Sequence, residues 1–395
     1  MLTLKIIFWV TLAIVVYTYV GYGIILYAIL AIRRTIKGKR HKPQLPTDEQ
    51  LPTITLLICA YNEEDVVHEK MANTLAIDYP KDKFSIMWVT DGSTDNTNNL
   101  LKTYGDRVQT VYTPERRGKT AALKHGIKLV TTDYVAFTDA NTMLNPQAMR
   151  EIVRQFMDNS VGCVSGEKRV AAKNKGQLAA EGEGLYWKYE STLKRWDYEL
   201  YSTMGAAGEL YAIDPKCYHD VPDNALLDDF MMSMLIVRDG KRIAYTPDAY
   251  ALEYGSANIA EESKRKRRIA AGGLQSIWWL RSMLNPLHQP LVWFQYVSHR
   301  VLRWSITPVA MILLLLANIA IVALGSSTFY KVMLAMQTAF YLMAASGWVL
   351  SKSGKRNKLL YTVYYFVFMN INVFRGMKYL QSHSNSGAWE KAKRS

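Results

Sequence analysis

Met87-Trp88-Val89-Thr90-Asp91-Gly92-Ser93-Thr94-Asp95-Asn96-Thr97 is the stretch on which the fold turns. Phe84 to Val89 is a short apolar run of the kind a buried strand uses, and Asp91-Gly92-Ser93 is turn chemistry. Ser93 or Thr94 can cap a helix that begins near Asp95. The stretch therefore reads as strand, turn and helix. In an open α/β sheet such a turn lies at the carboxyl end of a strand, where ligands bind, although Asp-Gly-Ser also serves as an ordinary turn.

The same alternation continues on both sides. Thr53 to Cys59, Val108 to Tyr112 and Tyr134 to Thr138 read as further strands; Glu64 to Leu75, Thr94 to Tyr104, Thr120 to Leu129 and Pro146 to Met157 read as helices. That order predicts an α/β domain over residues 51–258, with a largely parallel sheet and helices on both faces. Arg117-Gly118-Lys119-Thr120 imitates the end of a P-loop, but the first glycine of that motif would fall at Thr113. Lys119 still opens a helix beside a strand end, where it meets either a phosphate or solvent.

Ile6 to Ile32 carries no charged residue and exceeds the roughly 20 residues that cross a bilayer. Residues 1–34 are thus expected to form an N-terminal membrane helix. Arg33, Arg34, Lys37, Lys39, Arg40 and Lys42 follow it, which places the next domain in the cytoplasm by the positive-inside rule. Trp304 to Leu324 and Val332 to Leu350 are further spans, and Leu359 to Phe374 is a weaker one that contains Asn370 and Asn372. Residues 301–376 therefore read as a second membrane region, ending in a basic tail over 377–395. Lys352, Lys355, Arg356 and Lys358 place the loop before the weaker run inside. Before these spans, residues 259–300 carry Leu274-Gln275-Ser276-Ile277-Trp278-Trp279-Leu280-Arg281, an amphipathic segment suited to the interface.

The net charge of +14 is concentrated beside apolar segments, so anionic lipid rather than nucleic acid is the expected partner. Cys59, Cys163 and Cys217 stand singly, which argues for a reducing compartment and against a zinc site. Acidic residues, by contrast, recur just past the apolar runs: Asn62-Glu63-Glu64, Asp91, Asp139-Ala140-Asn141, and later Leu227-Asp228-Asp229. Parallel strands bring their carboxyl ends to one rim, so these carboxylates should converge. Converged acids repel one another unless a cation joins them, and a hard divalent ion bridging a diphosphate resolves that conflict.

At these residues the chain resembles the family-2 membrane glycosyltransferases, the group of hyaluronan, chitin, cellulose and poly-N-acetylglucosamine synthases. The matching pieces are Ala60-Tyr61-Asn62-Glu63-Glu64, Asp91-Gly92-Ser93, Arg117-Gly118-Lys119-Thr120-Ala121-Ala122-Leu123, Asp139-Ala140-Asn141, Tyr186-Trp187-Lys188-Tyr189-Glu190, Gly205-Ala206-Ala207-Gly208 and Leu227-Asp228-Asp229. The resemblance implies a GT-A fold, inversion at the anomeric carbon, and a Mg²⁺ or Mn²⁺ cofactor. It implies that Tyr61, Glu63 and Asp91 hold the nucleoside, that Asp139 with Asn141 binds the metal, and that Asp229 is the general base. Lys119 would serve the donor phosphates, and Gly208 would let backbone approach a sugar ring.

Two departures accompany the likeness. Asn141 replaces the second acid of the family's Asp-x-Asp, bringing a carbonyl oxygen without charge. Arg265-Lys266-Arg267-Arg268-Ile269 stands where processive members have Gln-x-x-Arg-Trp; Arg268 takes the family's arginine, and the tryptophan is missing. Arg268 is accordingly expected at the diphosphate and Arg265 at the membrane surface, with Trp278 or Trp279 replacing the lost aromatic. The expected partners are a UDP-sugar, a glycan or lipid-linked acceptor and membrane lipids, with export partners or a homo-oligomer as further candidates. A plasma-membrane polymerase is set against a single-addition transferase, and both against an inactive sugar-nucleotide-binding subunit.

Overall fold

The computed structural model describes residues 1–40, 42–171, 178–254, 259–325, 327–353 and 357–382. Lys355, Arg356 and the basic tail beyond residue 382 lie outside them. In chain order the elements are α1 (Leu2–Lys37), β1 (Ile54–Ala60), α2 (Val67–Leu75), β2 (Phe84–Asp91), α3 (Thr97–Lys102), β3 (Gln109–Thr113), α4 (Lys119–Ile127), β4 (Tyr134–Asp139), β5 (Met143–Leu144) and α5 (Ala148–Phe156). There follow β6 (Val161–Ala171), α6 (Leu178–Leu200), β7 (Leu210–Ile213), α7 (Asp228–Arg238), β8 (Arg242–Tyr254), α8 (Ile259–Trp279), α9 (Pro290–Ala323), α10 (Thr328–Lys352) and α11 (Lys358–Ser382).

Alternation along β1 explains the layers. Leu56 and Ile58 point to one face with Met71 of α2 and Ile152 and Val153 of α5. Leu57 points to the other, with Leu123 and Ile127 of α4 and Met231 and Leu235 of α7. Successive side chains of a strand face opposite ways, so a continuous apolar run feeds both cores.

The sheet order is β3-β2-β1-β4-β7-β6-β8-β5. β3, β2, β1 and β4 are mutually parallel as expected, but β7 is antiparallel to both β4 and β6, and β5 is antiparallel to β8. The sheet is therefore mixed, not largely parallel. The second half escaped the periodicity because its strands carry polar residues that only long-range pairing buries. Lys168 of β6, for example, is 2 % exposed and pairs with Glu253 of β8.

The first half aligns the rim. Cys59 is in register with Val89 on one side and Asp139 on the other, so the chain beyond β1, the turn after β2 and the end of β4 emerge together. Strand order reverses between β1 and β4, the position at which open sheets leave a crevice.

Three helices, α1, α9 and α10, are long and apolar enough to cross a membrane. α1 packs along α9, and α11 lies between α10 and α8. The π-helical turn Tyr17–Gly21 interrupts α1, and Thr18 within it shares a hydrogen bond with Thr307 of α9 at 2.9 Å.

Candidate active site

One cavity of about 550 Å³ opens at the rim and gathers Tyr61, Glu63, Asp91, Lys119, Asp139, Asn141, Gly208, Asp229 and Arg268, which all line it. Asp91 is buried, and its two oxygens accept backbone N–H groups of Arg117 and Gly118 at 2.9 and 2.7 Å. The carboxylate thereby folds the 116–118 loop back over the strand end. Gly92 has φ +66°, and a Cβ there would lie 2.7 Å from the Arg116 nitrogen, so the turn needs glycine on two counts. Above it the Arg116 guanidinium stacks 3.9 Å from the Tyr61 ring centroid, making a flat cationic shelf.

Lys119, the first residue of α4, reaches Asp139 Oδ1 at 2.6 Å. Burial works against its charge, but Asp139, Asp228 and Asp229 overcome that and hold its ammonium above the usual lysine range. Asp228 is buried and its Oδ2 has no hydrogen-bond partner among the described residues. Asp229 is pushed up to about 7, first by burial and then by Asp228, with Lys119 acting in opposition. A Cβ on Gly208 would lie 2.9 Å from Asp229 Oδ2, so the glycine keeps that carboxylate open to the cavity. Burial pulls Arg268 below the usual arginine range, against Asp228, Asp139 and Asp229.

No group of three His, Cys, Asp or Glu side chains forms a cage for a metal among the described residues. The donors that are present, the Asp139 carboxylate and the Asn141 amide, suit an ion that arrives with a diphosphate supplying its other oxygens. The unpartnered Asp228 oxygen is a further anionic atom in the same cavity. Lys119 neutralises Asp139 in this structure.

Two expectations are corrected. Arg265 is not at the membrane surface: it is 7 % exposed and faces Glu209 at 3.3 Å and Glu253 at 3.8 Å, beside Lys168. Burial works against Glu209, yet Lys168 and Arg265 hold its carboxyl below the usual carboxylate range. Nor do Trp278 and Trp279 replace the missing aromatic. Trp278 is 68 % exposed and Trp279 packs on the core, whereas Trp304 and Trp187 line the cavity. Trp304 stands 5.0 Å from Phe230 and directly over Gly273, which has no side chain to displace it. Sequence reading placed Trp304 at the start of a membrane run and so missed it, together with Arg300, Met369 and Tyr379 of the same wall.

The chain is similar to known proteins in domain and in fold. Residues 55–214 match the family model "Glycosyl transferase family 2". The poly-beta-1,6-N-acetyl-D-glucosamine synthase of Staphylococcus aureus is 28 % identical over 242 residues, covering 59 % of this chain and 57 % of that protein. The synthase of the same name from Staphylococcus epidermidis is 24 % identical over 288 residues, covering 70 % of this chain and 67 % of that one. The chain thus spans a little over half the length of the first of these relatives. Among solved structures, the mannosyltransferase PcManGT from Pyrobaculum calidifontis, in complex with GDP-Man and Mn²⁺, superposes with a TM-score of 0.71 at 20 % identity, covering 94 % of this chain and 98 % of that one. That likeness concerns the fold, which is GT-A. The chain thus carries, over residues 55–214, a domain that matches the family-2 glycosyltransferases, has a GT-A fold, and resembles the poly-N-acetylglucosamine synthases.

Proposed function

We propose that the chain transfers a sugar, with inversion, from a UDP-sugar to an acceptor hydroxyl at the cytoplasmic face of the plasma membrane. UDP-N-acetylglucosamine is the first donor to test, because the staphylococcal relatives are named for its polymer. The observation that carries the reading is Asp229. It is a half-buried carboxyl pushed up to about 7, open at Gly208, in one cavity with Asp139, Lys119 and Arg268.

The shelf of Tyr61 and Arg116, with Glu63 and the Asp91 turn, would receive the nucleoside. Asp139 and Asn141 would hold Mg²⁺ or Mn²⁺, which when bound supplies charge to the diphosphate; the mannosyltransferase PcManGT was solved in complex with Mn²⁺. Asp229 takes the acceptor proton as the acceptor oxygen attacks the anomeric carbon and the bond to the diphosphate breaks. Lys119 and Arg268 face the charge that develops on the leaving group. A base near 7 suits this work, since it is ionised at neutral pH yet still binds a proton.

Incubating the purified chain with UDP-sugars and Mg²⁺ or Mn²⁺, then resolving products by size, tests the proposal. Transfer from at least one donor, lowered about 100-fold or more in Asp229→Asn, is expected. Near wild-type transfer in Asp229→Asn would remove the base assignment. A ladder of products would mark a polymerase, and one added sugar a single-addition enzyme.

A further inference from the structure

The same cavity holds a cation that this reaction leaves unused. Lys194 of α6 is 4 % exposed, lines the cavity, and makes no hydrogen bond or ion pair with any described residue. Its ammonium lies 5.7 Å from the Trp187 ring centroid and 5.9 Å from that of Tyr245. Burial and neighbouring Arg300 both disfavour its charge; Glu190, Glu167 and Glu209 favour it from a distance. Each of those carboxylates already has donors. Glu190 takes Arg300 at 2.6 Å and Arg303 at 2.9 Å. Glu167 takes Ser191 at 2.5 Å and the Tyr245 hydroxyl, and Glu209 takes Lys168 at 2.6 Å. A buried cation without a partner is costly, and a second cation beside it raises that cost unless an anion binds between them.

Asp139, Asp228 and Asp229 are the carboxylates that act most on Lys119 and Arg268, whereas Glu190, Glu167 and Glu209 are those that act most on Lys194, so the two groups of cations answer chiefly to different carboxylates. The wall beside Lys194 belongs to Arg300 and Trp304 of α9, a helix long enough to cross a membrane. An anion entering there comes from the bilayer side, where phosphate is the prevailing anionic group. An ammonium and a guanidinium together match a group with several charged oxygens.

Resting on the glycosyl-transfer reading, we propose that Lys194 and Arg300 form a subsite for the phosphate of a lipid-linked acceptor, whose sugar then presents its hydroxyl to Asp229. The subsite sets which acceptor is used and leaves the chemistry to the donor half.

The test compares two acceptors with the same sugar: N-acetylglucosamine on a polyprenyl diphosphate and its octyl glycoside. Both are given to the full-length protein in neutral detergent, with binding measured by native mass spectrometry and KM by transfer. The diphosphate-linked acceptor should bind wild type about 10- to 100-fold more tightly, the range of a charge-assisted contact. Lys194→Gln should erase that preference and Lys194→Arg should keep it. Removing an unpartnered buried charge should not lower the melting temperature, and the Lys194→Arg result stands even if the glutamine variant misfolds. Equal affinity of wild type for the two acceptors, or a preference retained in Lys194→Gln, overturns the subsite. Displacement of the lipid-linked acceptor by equimolar inorganic phosphate, or by phosphatidylglycerol in nanodiscs, would make free phosphate or bulk headgroup the occupant and overturn the acceptor assignment. Because binding is read separately, absence of transfer with intact, Lys194-dependent binding would refute the transfer reading and not the subsite.

Discussion

The strongest consequence of the site concerns acid and base at Asp229. Its carboxyl titrates near 7 instead of at the ordinary 3.8, a gap worth about 4 kcal/mol between its protonated and ionised forms. Turnover that needs the ionised base should therefore fall about tenfold for each pH unit below 7 and level off above it. The causes can be separated by mutation. Asp228→Asn removes the like charge and should move the acid limb of kcat/KM to lower pH; Lys119→Met removes the opposing cation and should move it to higher pH. Stability should move in the opposite sense. The folded state holds this proton more tightly than the unfolded chain, so Asp229 stabilises the fold at acid pH, and that contribution is lost as pH rises from 3.8 through about 7. Asp229→Asn should thus lower turnover by about 100- to 10,000-fold while raising stability at pH 8, by at most about 4 kcal/mol. The assays are initial rates at saturating UDP-sugar between pH 5 and 9, with thermal unfolding at the same pH values. An acid limb that does not respond to Asp228→Asn, together with an Asp229→Asn variant no more stable at pH 8 than wild type, would refute the reasoning.

Four further outcomes are expected. Calorimetry with Mn²⁺ and UDP should show that Asp139→Ala loses metal-dependent binding and Asn141→Ala loses less, because only the first removes a charged ligand. Gly208→Ala brings a methyl group to 2.9 Å from Asp229 Oδ2 and should cut kcat at least ~10-fold with UDP affinity unchanged; equal loss of both would mean the glycine serves donor binding. Arg268→Ala should lose about 100-fold in turnover even in detergent. Arg265→Ala should instead lower stability by about 3–5 kcal/mol, since it leaves Glu209 and Glu253 short of a buried partner; a normal melting temperature and a defect seen only on anionic lipid would restore the surface role.

Sequence alone determined the β1–β4 half of the sheet and its acidic rim. β1, β2, β3 and β4 are local apolar runs closed by turns, and each acid of the rim sits within a few residues of its strand end, so short-range patterning placed Glu63, Asp91 and Asp139 together. The membrane helices were equally legible, because their signal is length and apolar content. Only the tertiary structure decided the β6–β8 half and the cavity wall beside it. β6, β7 and β8 pair across long stretches of chain and bury Lys168, Glu209, Glu253 and Arg265 as one ionic network, which composition presents as a solvated or membrane-facing charge run. Trp304 and Arg300 read as the edge of a span, and Lys194 as a helix-surface cation, until α6, α8 and α9 close around one cavity. Periodicity reports what a residue's neighbours in sequence allow, whereas the energy of a buried charge depends on groups a hundred residues away, and that sum exists only once the chain is folded.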